Sequence, residues 1–299
     1  MSTTSVGWKE CLIASATAVA IASATWYWKN CKECDCLWCK RRSHSRPQRV
    51  IFIRHGQSEG NVNPERYRDT PDNAMPLTEL GKYQARQAGK CMKKITGEGK
   101  TRFIVSPCLR TIETFEGLME SWKDAPEGTV SWIEEPRIRE QDFGNFQDPD
   151  QIRECKIQRR KFGGFFYRFP SGESPADVYD RVSSFMDTLQ RMFIRHADVD
   201  NFVLVTHGVT IRVLLMRYFK YSIGHFERVE NFHNAEFVVL ENNGKGSFEI
   251  KQLVYPKVDH ETLDVTPVVS TAVRLRECSG ARHSQYAHLY DKNSLFSDL

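Results

Sequence analysis

The stretch RVIFIRHGQSEGN, Arg49 to Asn61, decides how the rest of this chain is read. Its first six residues, Arg49-Val-Ile-Phe-Ile-Arg54, form a short apolar run with charged ends, the pattern of a strand buried on both faces. The run stops at His55-Gly56, and Ser58 and Gly60 then mark a loop. Phe202-Val-Leu-Val-Thr206 repeats the arrangement, an apolar strand followed directly by His207-Gly208. A third strand, Arg102-Phe-Ile-Val-Ser106, leads into Pro107-Cys108-Leu109-Arg110-Thr111, which sets an arginine at the start of a helix. Ligands of open α/β sheets bind outside the carboxyl ends of the strands. Two His-Gly pairs with Arg54 and Arg110 at such ends can converge on a single anion.

Between these strands the apolar period lengthens to that of a helix. Leu80 to Ile95 carries Leu80, Tyr83, Ala88, Cys91, Met92 and Ile95 at helical spacing, and Leu109 to Trp122 sets Ile112, Phe115 and Met119 on one face. Pro175 to His196 keeps Val178, Val182, Phe185, Leu189 and Phe193 in register, with Pro175 suited to the first turn. A further helix is predicted from about Val209 to Phe219, and a strand over Thr129 to Ile133. Strands near Glu236–Leu240 and Phe248–Val254 flank Asn242-Asn243-Gly244, a hairpin signal. Strands alternating with helices predict an α/β layered domain with a largely parallel sheet.

The chain has 299 residues, of which 40% are hydrophobic and 27% charged, the balance of a folded globular protein. The formal charge of +4 is unevenly spread: residues 1–50 hold eight Lys/Arg against three acids, leaving 34 bases and 35 acids in the remainder. A neutral body without a nucleic-acid-binding pattern argues against nucleic acid as a partner. From Cys11 to Trp28 no charge occurs for 18 residues. A helix of that length spans about 27 Å, close to a thin bilayer core. Trp26-Tyr27-Trp28 resembles an interfacial aromatic belt, and Lys29, Lys32, Lys40, Arg41 and Arg42 follow it. The expectation is a single-pass membrane anchor over residues 11–28, with the body facing the cytosol. A cleaved signal peptide, a mitochondrial targeting segment and an ordinary core helix are the competing readings. Cys31, Cys34, Cys36 and Cys39 fit reversible acylation beside an anchor, unmodified thiols or, third, a zinc site. The segmentation that follows is 1–47 for anchor, cysteine cluster and basic linker, 48–255 for the folded domain, and 256–299 for a polar, peripheral tail. Within that tail His260, His283 and His288 lie too far apart to propose a metal site.

Five motifs in chain order resemble the histidine phosphatase superfamily, the phosphoglycerate-mutase-like family. They are Arg54-His-Gly-Gln-Ser-Glu-Gly-Asn61, Ser106-Pro-Cys-Leu-Arg110, Arg139-Glu-Gln-Asp-Phe-Gly144, Gly172-Glu-Ser174 and Thr206-His-Gly208. The wording Phe165-Phe-Tyr-Arg-Phe-Pro170 and Asp180-Arg181-Val182 is closest to a plant and fungal branch that includes broad-range acid phosphatases. The resemblance implies a three-layer α/β/α sandwich with a mostly parallel sheet, and neither metal nor organic cofactor. It implies His55 as a nucleophile that forms a phosphohistidine, and Arg54, Asn61, Arg110 and His207 as phosphate-binding groups. Glu140 falls at the family's proton-donor position, where a raised pKa would suit it. His207, if protonated, would add charge as well as a donor.

Each residue also has a plainer reading. Arg110 could pair with Glu113, its i,i+3 neighbour. Asp142 is an alternative acid to Glu140, and Glu173 and Arg181 read as structural polar partners. Cys108 lies too near Arg110 for the loop a cysteine phosphatase requires. Arg153, Lys156, Arg159, Arg160, Lys161 and Arg168 form either a basic rim for anionic substrates or a solvated helix face. The family contains mutases and phosphatases. From Gln147 to Ser171 there are only 25 residues, where glycolytic mutases carry a much longer insert over the site. A short cover admits water to a phosphohistidine and favours hydrolysis. The expectation is a membrane-tethered phosphatase acting on small phosphorylated substrates, with phosphoproteins as a variant. A mutase and a non-catalytic, membrane-anchored phosphate-binding adaptor are the alternatives.

Overall fold

The computed structural model describes residues 46–276 apart from 145–148, 260, 261 and 263. The proposed anchor over residues 11–28 and the cysteines from Cys31 to Cys39 lie outside the described residues. Among the described residues no helix is long and apolar enough to cross a membrane.

Seven strands form one sheet in the order β3-β2-β4-β1-β5-β6-β7. They are β1 (Arg49–Arg54), β2 (Thr101–Val105), β3 (Val130–Glu134), β4 (Asn201–Thr206), β5 (Phe237–Asn242), β6 (Phe248–Val258) and β7 (Val265–Ser270). The α-helices are α1 (Glu59–Val62), α2 (Glu79–Thr96), α3 (Leu109–Met119), α4 (Pro149–Phe162), α5 (Pro175–Arg195), α6 (Gly208–Phe219) and α7 (Ile223–Arg228). The strands β3, β2, β4 and β1 are mutually parallel, whereas β5, β6 and β7 each pair antiparallel with their inner neighbour. The sheet is therefore mixed, not mostly parallel. The Asn242–Gly244 turn is tight, so β5 and β6 must run in opposite directions.

The continuous apolar runs of β1 and β4 are buried on both faces. One face, with Val50, Phe52, Ile104, Phe202 and Leu204, packs against Val178, Val182, Phe185 and Leu189 of α5 and against α6. The other, with Ile51, Ile53, Phe103, Val203 and Val205, packs against Ala88 and Met92 of α2 and Phe115 and Leu118 of α3. Alternation along the strands thus sorts side chains into two cores between three layers. Two side-chain caps fix where helices begin. Thr78 Oγ1 accepts the Gly81 N–H, and Ser174 and Asp177 close a capping box ahead of Pro175.

The sheet continues past Tyr255, where a peripheral tail was expected. β6 runs to Val258, and β7 pairs with it from Val265↔Val258 to Ser270↔Leu253. β7 is mostly exposed and contains Pro267, as an edge strand tolerates, so it lacks the alternation that betrays a buried strand. After β7 the chain returns alongside residues 228–230, with Arg276 N on Arg228 O at 2.8 Å and Glu230 N on Arg274 O at 2.9 Å.

Candidate active site

The carboxyl ends of β2, β4 and β1 lie side by side and deliver most of the site. Beyond β1 the His55 N–H reaches Thr206 O at 2.9 Å, which locks the two strand-end histidine segments together. The His55 and His207 rings meet edge to face with centroids 5.3 Å apart. A glycine must follow His55, because a Cβ on Gly56 would lie 2.4 Å from Gly81 O in the first turn of α2. Gly208 is equally constrained, a Cβ there meeting Asn231 Oδ1 at 2.1 Å.

His55 Nδ1 lies 2.7 Å from Gly56 O. A carbonyl only accepts, so Nδ1 carries the proton and Nε2 keeps its lone pair. The imidazole pKa is pushed well below its ordinary value by burial first, then by the charges of Arg110 and Arg54, so the ring is neutral. His207 begins α6 as its N-cap residue, with Nε2 2.7 Å from Ser106 Oγ. Its Nδ1 is buried without a hydrogen-bond partner among the described residues. Burial, Arg110 and His55 lower its pKa strongly too. His207 therefore contributes a neutral ring in the free protein, and the extra charge expected of a protonated form is not present there.

Arg110 lies in the first turn of α3 and is 3% exposed. Its guanidinium donates to Asp72 O and, at 3.0 Å, to Asp72 Oδ2; Glu113 instead accepts the Leu77 N–H at 2.6 Å. The i,i+3 pairing with Glu113 does not form. Arg54 donates to Phe232 O, and its buried Nε has no hydrogen-bond partner among the described residues. Asn61 Oδ1 accepts from Ser58 N at 3.2 Å and from Asn234 Nδ2 at 3.0 Å, which leaves its own amide nitrogen as a donor. Cys108 is buried, and burial pushes its thiol pKa up, away from the thiolate a cysteine nucleophile requires.

Glu140 reaches this group from the segment after β3. Thr206 Oγ1 holds Ile138 O at 2.6 Å, and Thr210 Oγ1 holds Arg139 O at 2.8 Å. Arg181 donates to the carbonyls of Arg137, Arg139 and Glu140 and is gripped by both Glu173 oxygens at 3.0 Å. Glu173 and Arg181 thus form the bracket that aims Glu140. The Glu140 pKa is raised, by burial first and then by Asp72, against the opposing pull of the Gln141 N–H, Arg110 and Arg54. Asp142, the alternative acid, is exposed, and its Oδ1 accepts the Gly144 N–H at 2.7 Å. Arg212 and Arg159 act electrostatically on Glu140; burial, Arg159 and Arg276 push the Arg212 pKa down to about 10. Among the described residues no three His, Cys, Asp or Glu side chains form a group that could hold a metal.

Sequence reasoning missed three contributors. Asn234 Nδ2 lies 3.3 Å from His55 O and 3.2 Å from Gly56 O as well as bonding Asn61. Asp72 faces Arg110, and the Tyr67 ring packs so closely on Gly60 that a Cβ there would lie 2.6 Å from it. Tyr67 and Asp72 sit in short 3-10 helices and Asn234 in a loop, segments too short for a periodicity to mark a residue. The only signal was the clustering of Asn, Asp and Pro that announces a turn.

Fold and site together define an α/β protein with paired histidines and arginines at the ends of adjacent parallel strands. The chain belongs to the histidine phosphatase superfamily (branch 1), whose sequence profile matches residues 50–255. It is 44% identical over 217 residues to the phosphoglycerate mutase-like protein AT74H of Arabidopsis thaliana, covering 68% of this chain and 76% of that one. It is 30% identical over 305 residues to the broad-range acid phosphatase DET1 of Saccharomyces cerevisiae, covering 72% of this chain and 91% of that one. Among solved structures, mycobacterial hydrolase 1 shares the fold with a TM-score of 0.55 at 23% identity, over 69% of this chain and 97% of the other. Phosphatases and mutases both occur among the relatives.

Proposed function

We propose that this protein is a phosphatase that hydrolyses phosphate monoesters through a phosphohistidine at His55. The observation that carries the reading is the His55 tautomer: Nδ1–H is committed to Gly56 O, so Nε2 is the nucleophilic nitrogen of a ring held neutral by burial and by two arginines. Nε2 attacks phosphorus as the ester P–O bond breaks. Arg54, Arg110, Asn61 and His207 hold the oxygens, on which charge spreads in the transition state. Glu140, whose pKa is raised by burial, gives its proton to the leaving alkoxide. Its carboxylate then takes a proton from water, the resulting hydroxide attacks phosphorus, and the P–N bond breaks to restore His55. The short segment between Gln147 and Ser171 favours water over a returning alcohol as acceptor, and the acid phosphatase named among the relatives supports the same choice. Arg159 and Arg212, which act electrostatically on Glu140, favour small substrates whose leaving group is itself anionic.

The test is release of inorganic phosphate from an aryl phosphate and a panel of alkyl phosphates and phosphopeptides, with an acid-labile phosphoenzyme trapped from the wild-type chain. No turnover across the panel sinks the hydrolase reading and leaves a phosphate-binding adaptor. Phosphoryl exchange between phosphoglycerates faster than phosphate release makes the protein a mutase. The apolar run over residues 11–28 supports a membrane tether with the domain on the cytosolic side. Complete release from membranes by alkaline carbonate would overturn it, and co-purification with mitochondria would fix the alternative address.

A further inference from the structure

The loop between α7 and β5, residues 229–236, touches the strand end that carries the proposed nucleophile. Phe232 O receives the Arg54 guanidinium, Ala235 N donates to His55 O at 3.1 Å, and Arg54 N donates to Glu236 O at 3.0 Å. Asn234 spans from the His55 and Gly56 carbonyls to Asn61. The loop is not relaxed: Ala235 has φ 58°, the left-handed region that a non-glycine residue enters at a cost. Something must hold it down.

Arg274, beyond β7, does so. Its two terminal nitrogens each lie 2.6 Å from one oxygen of Glu236, a carboxylate only 1% exposed, and its Nε is 3.4 Å from Glu230. Glu236 Oε2 also accepts the His233 N–H at 2.6 Å, and Val229 pairs with Leu275 as an antiparallel bridge. The family match ends at residue 255, so this clamp comes from a part of the chain that the family pattern does not include.

We propose that the segment after β7, ending at Arg276, is a positioning device in which Arg274, through Glu236 and the 229–236 loop, sets the orientation of Arg54 and His55. Without Arg274 the buried Glu236 carboxylate loses its paired counter-charge and keeps the His233 N–H as its direct partner. Its relief is to swing toward water, which withdraws Phe232 O from Arg54 and Asn234 from the His55 carbonyl. The inference rests on the phosphoryl-transfer reading for its kinetic test, but its binding test does not.

The experiment compares the full chain with its Arg274→Gln, Arg274→Lys, Glu236→Gln and Val269→Thr variants, each assayed well below its own melting temperature. Turnover of an aryl phosphate and the affinity for inorganic vanadate are measured. A misplacement of about 1 Å costs on the order of a hundredfold in rate, so Arg274→Gln is expected to lose ten- to about a hundredfold in kcat, with KM little changed. Vanadate affinity falls by a similar factor. Arg274→Lys keeps the charge over Glu236 and folds even if Arg274→Gln does not. It regains only part of the loss, because an ammonium cannot make two parallel bonds to a carboxylate. Glu236→Gln falls between the two, and Val269→Thr, at an exposed position of β7, matches the wild type. Wild-type kcat and vanadate affinity in Arg274→Gln and Arg274→Lys, with only their melting temperatures lowered, would overturn the proposal. A wild-type chain that binds vanadate yet turns nothing over removes the hydrolase reading alone; the clamp then stands or falls on vanadate affinity.

Discussion

The two halves of the sheet serve the site differently. In the parallel half, β3, β2, β4 and β1 all end on the same edge, so the residues that follow them gather there: Arg54 and His55, Ser106 and Arg110, His207, and the segment leading to Glu140. In the antiparallel half successive strands point in opposite directions. The loop entering β5 meets the same edge, since Phe237 pairs with Ile53. It brings carbonyls and an amide, from Phe232 and Asn234, in place of reactive side chains. Parallel strands are a way of concentrating chemistry, and the antiparallel flank is a way of constraining it. Losses in the first half should abolish a step, and losses in the second should blur its geometry.

The largest expected effect falls in the parallel half. His55→Ala removes the proposed nucleophile and should lower kcat by at least about four orders of magnitude, with no phosphoenzyme trapped. A residual rate within about tenfold of the wild type would mean that water attacks directly and that His55 only binds. Next comes Glu140→Gln, expected to cost on the order of 10²–10⁴-fold for an alkyl phosphate, whose alkoxide needs a proton. A nitrophenyl ester, whose leaving group departs unprotonated, should lose far less in phosphoenzyme formation. Equal losses for both esters in that step would take the proton-donor role from Glu140.

The pH profile follows from the same two groups. The rate requires His55 unprotonated, with its pKa well below the imidazole value, and Glu140 protonated, with its pKa above the ordinary carboxyl value. Activity should therefore rise with pH through the lowered His55 pKa and fall again as pH climbs through the raised Glu140 pKa, giving a bell-shaped profile between the two. A profile of kcat/KM still rising above neutral pH would contradict this assignment. In Glu140→Gln the alkaline limb should vanish.

The parallel half was also the more legible in the sequence. β1 and β4 are continuous apolar runs because both their faces are covered, and their ends are punctuated by His-Gly pairs whose glycines the packing demands. The chemistry-bearing residues follow these strands at short distances, so strand prediction nearly located the site. The direction of β5 relative to β1 had no such mark, since a hairpin signal orients β5 against β6 only. β7, with exposed valines around Pro267, resembles a polar tail. α4 was legible only as a solvated helix face, one of two readings of its basic residues, because Asp150, Gln151, Arg153, Glu154 and Lys156 are all exposed on it and Cys155 is among the few described residues it buries. Asn234 acts from a loop and Asp72 from a single 3-10 turn, both brought near by tertiary folding, and nothing local records that. For Arg110 the local rule pointed the wrong way, since a partner 38 residues distant, Asp72, displaced the helical neighbour Glu113.

Asp72 gives the smallest expected effect and the sharpest division between aiming a residue and using it. Its carboxylate is 46% exposed while the Arg110 side chain is 4% exposed, so the pair sits at the rim of the site with the arginine inside. Arg110 is held twice, by the Asp72 carbonyl and by the carboxylate oxygen at 3.0 Å. A bound phosphate must share that guanidinium and tolerate the nearby negative charge. Asp72→Asn keeps the carbonyl contact and the side chain's shape but removes the charge. Partly exposed ion pairs are worth about 1 kcal/mol or less, so the variant should bind inorganic phosphate only a few-fold more tightly, and the gain should shrink as salt is added. Calorimetric titration of both chains at low and high ionic strength measures this. Weaker phosphate binding in Asp72→Asn would mean instead that the carboxylate's main effect is to orient Arg110, which would join Asp72 to the constraining elements despite its place beside the parallel half.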